Sequence, residues 1–200
     1  PPLRDNGTYL WSGLPNLSGN DKEKVRIGNQ LTLVTVSLIE TCIEYGVTVL
    51  LENPQTSRVW LTQIIRDLIK THHPIPNVTE FCQYNKEWKK STTFMTFMGP
   101  KIGLCRCKGT EGYCSVPDKD GNPRKHKGLQ GTDPKTGKFW TKIAEPYPWQ
   151  LCKQIAKGII KFYITKTTDQ KENPDFVIRK EFGKLKNRDE ITANTHKFVC

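Results

Sequence analysis

The sequence predicts an α/β fold that is interrupted by an irregular basic insertion. Three observations carry this prediction. A periodic apolar segment, a glycine and a short apolar run follow one another within the first 54 residues, which is the order of half an α/β unit. Another helical segment and two strand-like segments come next. Residues 101–138 then lose this periodicity and are rich in Gly, Pro and Lys.

The first elements follow from the spacing of apolar residues. Residues 1–24 are rich in Pro, Gly, Asn and Ser and predict an irregular loop. Apolar residues recur mostly at intervals of three and four between positions 25 and 45, so we expect an amphipathic helix that ends at Gly46. Residues 47–51 are apolar and start with β-branched side chains, which predicts a buried strand ending at Glu52-Asn53-Pro54.

The following elements obey the same rules. Residues 57–70 predict a second helix, because their apolar residues lie on one side and His72-His73-Pro74 ends the pattern. Residues 78–82 predict a strand and residues 84–90 a turn. Residues 92–98 are β-branched and aromatic and predict another strand, so the two strands form a hairpin or a crossover pair.

The last part of the chain changes twice in character. Pro146 and Pro148 precede an apolar periodic segment that begins at Trp149, and proline is well tolerated just before a helix. From Lys166 onward the residues are highly charged, and we expect this tail to be loosely held or to continue into further sequence.

Nearly all of the net positive charge lies in the second half of the chain. The 200 residues include 31 Lys/Arg and 20 Asp/Glu, a formal net charge of +11. Residues 1–100 hold 10 basic and 9 acidic residues, whereas residues 101–200 hold 21 and 11. This asymmetry favours a surface for a polyanion, most simply nucleic acid. A solvated lysine-rich face is the alternative.

Composition also excludes some classes of protein. The chain is too apolar for wholesale disorder, and no run reaches the roughly 18 apolar residues of a membrane span. Pro1-Pro2-Leu3-Arg4 does not resemble a secretory leader, and with no initiator Met we expect a fragment of a longer protein. Four of the seven cysteines are scattered and three are clustered, which is not a secreted disulfide pattern. We therefore expect an intracellular setting, either nuclear in a eukaryotic host or the cytoplasm of a bacterial or virus-infected cell.

Two polar segments stand where strands end or begin. Catalytic groups of open α/β sheets gather at the carboxyl ends of strands, so Glu52 is a candidate proton donor whose pKa partial burial would raise. A helix-capping or loop acid is the alternative. The segment Trp88 to Thr93 carries two lysines and three hydroxyls that suit a phosphate or a base edge, unless it is an ordinary polar turn.

Cysteines and a histidine cluster inside the insertion. Thiolates and imidazole are the ligands that zinc prefers, and structural sites use four of them. The candidate ligands for zinc are Cys105, Cys107, Cys114 and His126. Free thiols in a loop, and a histidine that faces a phosphate from its basic run, are the alternative.

Four segments of the chain stand in a fixed order. They are Val49-Leu50-Leu51-Glu52-Asn53-Pro54, the stretch from Gln83 to Phe97, the basic region 101–140, and the stretch from Tyr147 to Ala156. In this order they resemble the Glu-Asn-Val motif, the Gln-x-Arg-x-Arg motif, the target-recognition region and the closing helix of cytosine-5 DNA methyltransferases. The chain also resembles a divergent methylase-like family of mobile elements and viruses through Pro1-Pro2-Leu3-Arg4, Gly28-Asn29, Glu52 to Trp60, Lys90-x-Thr92, Cys105, His126 and Ala144 to Pro148.

The resemblance implies a partial Rossmann-like methyltransferase sheet. Residues 1–100 would be the C-terminal half of the catalytic domain and residues 101–140 its target-recognition insertion. Residues 141–165 would form the closing helix of that domain, and residues 166–200 a charged tail.

The resemblance also implies a reaction, the transfer of a methyl group from S-adenosylmethionine to C5 of cytosine in a flipped-out base of DNA. Glu52 would protonate N3 of the base, Asn53 would hold the local turn, and Lys89 or Lys90 would steady the base or a phosphate. Tyr147 and Pro148 would contact the cofactor. The implied DNA-binding residues are Lys89, Lys90, Thr92, Arg124, Lys125 and Lys127.

The sequence departs from the family in three ways. Pro54 replaces the valine of the Glu-Asn-Val motif, and lysines replace the arginines of the next motif. The glycine-rich cofactor motif and the Pro-Cys nucleophile are not in these 200 residues, and Cys42 falls within a predicted helix. We therefore expect half of an active site that does not catalyse alone. The alternatives are a non-catalytic nucleic-acid-binding module with a zinc site, and an interaction domain without a ligand.

Overall fold

The structure, a computed structural model, describes residues 2–169. The chain mixes helices with a small sheet, in the order α1 (Gly19–Glu44), β1 (Val49–Pro54), α2 (Gln63–His72), β2 (Ile75–Glu80), β3 (Ser91–Phe97), α3 (Trp140–Ile143) and α4 (Trp149–Asp169). Its contacts divide the chain into one unit up to Gly158 and another from Ile159. The charged tail predicted from Lys166 onward falls outside the described residues from position 170.

Helix α1 begins six residues earlier than its apolar pattern predicts. The Ser18 side chain accepts a hydrogen bond from the backbone N–H of Asp21, and Asp21 itself lies in the first turn. Both features stabilise a helix N-terminus, so the polar residues 19–24 are helical rather than an irregular loop. The helix ends before Gly46, whose φ of +70° suits glycine.

The sheet has three strands in the order β1-β3-β2, and both pairs are antiparallel. The predicted pairing of the two later strands is therefore confirmed as an antiparallel pair. Strand β1 is half-buried rather than buried, and among the described residues β3 is its only partner. Mixed α and β structure is thus present, in the form of a small antiparallel sheet.

Each face of the sheet covers its own apolar cluster. Helices α1 and α2 pack on one face, where Phe97 is surrounded by Val36, Ile39, Ile65 and Leu68. On the other face lies an aromatic cluster of Phe81, Tyr84, Trp88 and Phe94 with Ala144 and Leu151. Because side chains alternate along a strand, Phe94 and Phe97 face opposite clusters.

Half of the apolar pattern of α1 faces away from this core. Ile27, Val34 and the 61% exposed Leu31 and Leu38 lie along the outer side of the helix. The buried side chains of α1 are Val25, Val36 and Ile39. The apolar residues therefore occupy two sides of the helix, and only one side packs against the described part of the chain.

The insertion is irregular, as predicted. Residues 101–138 contain no helix or strand in the structure, apart from single bridges such as Tyr113 with Lys125. Its beginning is fixed to the sheet, because the side-chain oxygen of buried Asn77 accepts a 2.6 Å hydrogen bond from the N–H of Ile102. None of the helices within residues 2–169 is both long and apolar enough to cross a membrane.

Candidate functional site

The sheet directs Glu52 toward the aromatic cluster. Glu52 is half-buried and stands opposite Phe94 in the antiparallel pair of β1 and β3. Leu50, two positions earlier on the same face of the strand, packs against this cluster. Strand alternation therefore brings a carboxyl group to the edge of an aromatic surface.

Lys90 reaches the same place from the start of β3. Its backbone has a φ of +30°, which a non-glycine residue rarely adopts. Its ammonium group donates hydrogen bonds to the carbonyls of Ala144 at 2.9 Å and Glu145 at 3.5 Å. The same nitrogen lies 4.6 Å from the ring centre of Phe81. Lys90 thus ties the segment before α4 to the sheet.

Tyr147 completes this polar cluster, which we define as Glu52, Lys90 and Tyr147. The Tyr147 ring centre lies 5.8 Å from that of Phe81 and 6.2 Å from that of Phe94, and Lys90 Nζ lies 5.7 Å above it. Burial raises the pKa of the Tyr147 hydroxyl, and a hydrogen bond to Glu52 raises it further. The phenol therefore stays protonated and donates to a side-chain oxygen of Glu52.

Charge and burial oppose each other at Lys90. Burial lowers the pKa of its ammonium group, while the carboxylates of Glu52 and Glu145 act in the opposite direction. The polar cluster thus combines a carboxyl group, an ammonium group and a phenol beside aromatic rings. Such an arrangement can stack a flat polar ring and exchange a proton with it.

Asn53 has a local partner. Its side-chain oxygen accepts a 3.2 Å hydrogen bond from the Ser57 hydroxyl. The carbonyl of Pro54 accepts hydrogen bonds from the N–H of Ser57 and, at 2.9 Å, from the indole of Trp60. The turn after β1 is therefore held by hydrogen bonds among its own residues.

The structure buries two of the proposed contact residues and engages a third in an internal hydrogen bond. The side chain of Thr92 is fully buried in the sheet, so it cannot reach DNA. Pro148 is fully buried as well, which leaves Tyr147, 43% exposed, as the ring available to a cofactor. Arg124 turns inward and donates to the carbonyl of Cys82 at 2.7 Å. Thr92, Pro148 and Arg124 therefore do not form an exposed ligand surface.

The remaining basic candidates differ in their exposure to solvent and in whether they already have a partner. Lys89 is half-buried, whereas Lys125 is exposed. Lys127 pairs with Glu87 at 3.3 Å and lies 3.6 Å from the ring centre of Trp140. Lys125 is therefore the exposed cation of the basic run in the insertion.

A second cluster lies where the insertion meets the end of β2. Four side chains, Cys82, Cys107, Cys114 and His126, place one ligand atom each within 4.8 Å of one another, and this metal-ligand group could hold a metal ion. The predicted set is corrected at one position, because the buried Cys82 joins the group and the exposed Cys105 does not. Cys82 lies 25 residues before Cys107, so no short spacing in the sequence points to it.

The surroundings of the metal-ligand group shift the pKa values of two of its thiols in opposite directions. Burial raises the pKa of the Cys82 thiol to about 12. Burial also acts to raise the pKa of Cys107, but hydrogen bonds from the backbone N–H groups of Ser115 and Gly109 outweigh it and lower that pKa to about 6. The group therefore combines a shielded thiol with one that ionises readily.

Comparisons with known proteins give no relative. No protein-family model, no curated protein and no solved structure matches this chain. What the fold and the sites define is a mixed α and β protein with a polar cluster on its sheet and a Cys/His group that could hold a metal ion.

Proposed function

We propose that this chain supplies one half of the active site of an S-adenosylmethionine-dependent cytosine-5 DNA methyltransferase. The observation that carries the proposal is the polar cluster. Glu52, Lys90 and Tyr147 are up to 95 residues apart in the sequence and meet beside the rings of Phe81 and Phe94. The resemblance to methyltransferase motifs assigns these same three positions to the active site and the cofactor pocket.

The partial Rossmann-like sheet belongs to this proposal. Among the described residues no second strand covers the outer edge of β1, and the outer side of α1 exposes a row of large apolar residues. Both features are typical of elements that continue into a larger layered sheet. They support a fold that is completed by further strands and helices.

Each residue of the polar cluster has a role in the proposed reaction. Glu52 holds a proton at N3 of the flipped-out cytosine, which prevents negative charge from building up on the ring. Lys90 acts as a positioning residue, because its ammonium group holds the carbonyls of Ala144 and Glu145. Tyr147 packs on the aromatic rings and orients the carboxyl group of Glu52. S-adenosylmethionine supplies the methyl group when it is bound.

The test is the Glu52→Gln variant within the protein that carries the remaining methyltransferase motifs. Loss of the proton donor should lower the rate of methyl transfer to DNA by about a hundredfold or more, because general acid catalysis contributes on this order. Binding of DNA should persist, since the amide keeps the shape of the carboxyl group. The matched control is Glu44→Gln, which changes an exposed acid at the end of α1. Full activity of the Glu52→Gln variant would contradict the assignment.

A nucleic-acid-binding module without catalysis is the second candidate. The insertion, residues 101–138, holds nine Lys/Arg against four Asp/Glu, and zinc is the ion we propose for its Cys/His group. Trp88 is buried in the core and offers no stacking surface, while Lys127 lies against the ring of Trp140. Binding of S-adenosylmethionine by the complete protein separates the two functions, because only the methyltransferase requires it.

A further inference from the structure

The metal-ligand group joins two separate segments of the chain, the end of β2 and the irregular insertion. Cys82 belongs to a short 3-10 helix, Phe81–Tyr84, that directly follows β2 and is buried in the aromatic core. Cys107, Cys114 and His126 belong to the irregular insertion. We propose that these four side chains bind one structural Zn²⁺ that fastens the insertion to the sheet.

The two ligand-atom distances that involve Cys107 are close to those around a tetrahedral zinc ion. With Zn–S bonds of about 2.3 Å and Zn–N bonds of about 2.0 Å, two sulfurs lie about 3.8 Å apart and a sulfur lies about 3.5 Å from a nitrogen. The Sγ atoms of Cys107 and Cys114 are 4.0 Å apart. The Sγ of Cys107 and the Nε2 of His126 are 3.6 Å apart. Three sulfurs and one imidazole nitrogen select zinc over the oxygen-preferring cations.

Donor groups point at the sulfurs from outside the cluster. Arg124 Nη2 donates to Cys114 Sγ at 3.1 Å, and the N–H of Val116 donates to the same sulfur at 3.4 Å. Gln83 Nε2 lies 3.6 Å from Cys82 Sγ and 3.5 Å from Cys114 Sγ. Three thiolates with one Zn²⁺ leave one negative charge, which the guanidinium of Arg124 offsets. Such outer hydrogen bonds orient metal ligands and retain their charge.

The insertion has little apolar core of its own. Its residues form only isolated bridges, and only Ile102, Leu104 and Leu129 among its large apolar side chains are buried or partly buried. A segment that buries so little apolar surface does not compensate the entropy lost on ordering. One ion bound by residues on both sides replaces the missing core, as structural zinc does in small domains.

The first experiment measures zinc in the full chain and in two serine variants. The wild-type chain, purified without chelator, should carry about one Zn²⁺ per molecule. Cys82→Ser should lose most of this zinc, because three ligands and a hydroxyl hold it poorly. The matched control Cys105→Ser should keep it, since Cys105 lies outside the group although it is closer to Cys107 in sequence.

Two further measurements do not depend on how a variant folds. X-ray absorption on the wild-type chain should give three sulfurs at about 2.3 Å and one nitrogen at about 2.0 Å around zinc. Chelation should open residues 101–138 to trypsin while the sheet and α2 resist cleavage. Insensitivity of the insertion to chelation would overturn its fastening by zinc.

Three other results would overturn the proposal. A wild-type chain without zinc, loaded neither in cells nor on addition of Zn²⁺, excludes the site. Loss of zinc from Cys105→Ser with retention in Cys82→Ser would transfer the site to the ligand set that sequence spacing suggests. A Cys107–Cys114 disulfide under reducing purification, detected as a mass loss of two hydrogens, would assign these thiols to redox chemistry instead.

Discussion

The buried amide of Asn77 is one of the links between the sheet and the insertion. Asn77 donates from Nδ2 to the Thr96 hydroxyl at 2.8 Å and to the Ile75 carbonyl at 3.1 Å, while its Oδ1 accepts from the N–H of Ile102. Because the side chain is only 4% exposed, water cannot replace these partners. Asn77 therefore fastens the start of the insertion at Ile102 to β2 and β3.

We expect Asn77→Ala to lower the free energy of unfolding by about 1–3 kcal/mol, since it leaves a buried N–H without an acceptor. Urea denaturation followed by circular dichroism measures this change. The control is Asn20→Ala, at an exposed position in the first turn of α1. Equal midpoints for the Asn77→Ala variant and the wild-type chain would mean that the amide does not hold the insertion.

At the residue scale, the sequence predicts which types of side chain form a site better than it predicts which individual residues meet there. The residue types of the Cys/His group are evident from composition, and three of its four members follow from their clustering. Cys82 is not predicted as a ligand, because its position relative to the other three depends on how the chain packs at the end of β2. The prediction that Thr92 and Arg124 contact DNA fails for a similar reason. The local sequence does not show that Thr92 is buried or that the guanidinium of Arg124 points inward.

Among the elements, the turn that carries Cys107 and Cys114 is the most tightly constrained. A Cβ atom on Gly109 would lie against the carbonyl oxygen of Tyr113 and only 2.7 Å from the backbone nitrogen of Ser115. These are backbone atoms, which cannot rotate away. Gly109 therefore permits the close approach of the two halves of the turn.

We expect Gly109→Ala to destabilise this turn by about 1–3 kcal/mol, the usual cost of overpacking. Hydrogen exchange should then accelerate in residues 107–126 by between about fivefold and about a hundredfold, with little change in β1 and β3. Gly128→Ala is the matched control, because no atom lies within 4 Å of its added Cβ. Unchanged exchange in the Gly109→Ala variant would show that the turn tolerates a wider backbone.

The periodic spacing of apolar residues predicts most of the helices and strands, but it does not predict where they begin and end. The helical pattern from position 25 predicts α1, but the cap at Ser18 extends the helix to Gly19. The single helix expected over residues 57–70 is a 3-10 turn, Arg58–Leu61, followed by α2. The local pattern does not determine strand direction either, because β1 pairs with β3 through residues that lie 38 to 48 positions apart in the sequence.

At the scale of the whole molecule, the distribution of net charge is the property that can be predicted most directly from the sequence. The near-neutral first half builds the sheet and its helices, and the basic half begins with the insertion. Long-range attraction to a polyanion depends on the number of free cations rather than on the fold. Within the described insertion several cations are already engaged, Arg124 with Cys82, Lys127 with Glu87, and Arg106 with the buried Glu80. Net charge alone therefore overstates the basic surface.

If the insertion binds DNA, affinity must fall as salt rises, because each phosphate contact releases counterions. We expect Lys125→Gln to lower the slope of log affinity against log salt by about one, since this exposed cation lies in the basic run. Lys22→Gln removes an exposed charge from α1 in the near-neutral half and should leave the slope unchanged. Fluorescence anisotropy with a labelled duplex at several salt concentrations measures both. Equal slopes for the two variants would place the DNA contacts elsewhere, and no binding by the wild-type chain would mean that its basic half is a solvated face.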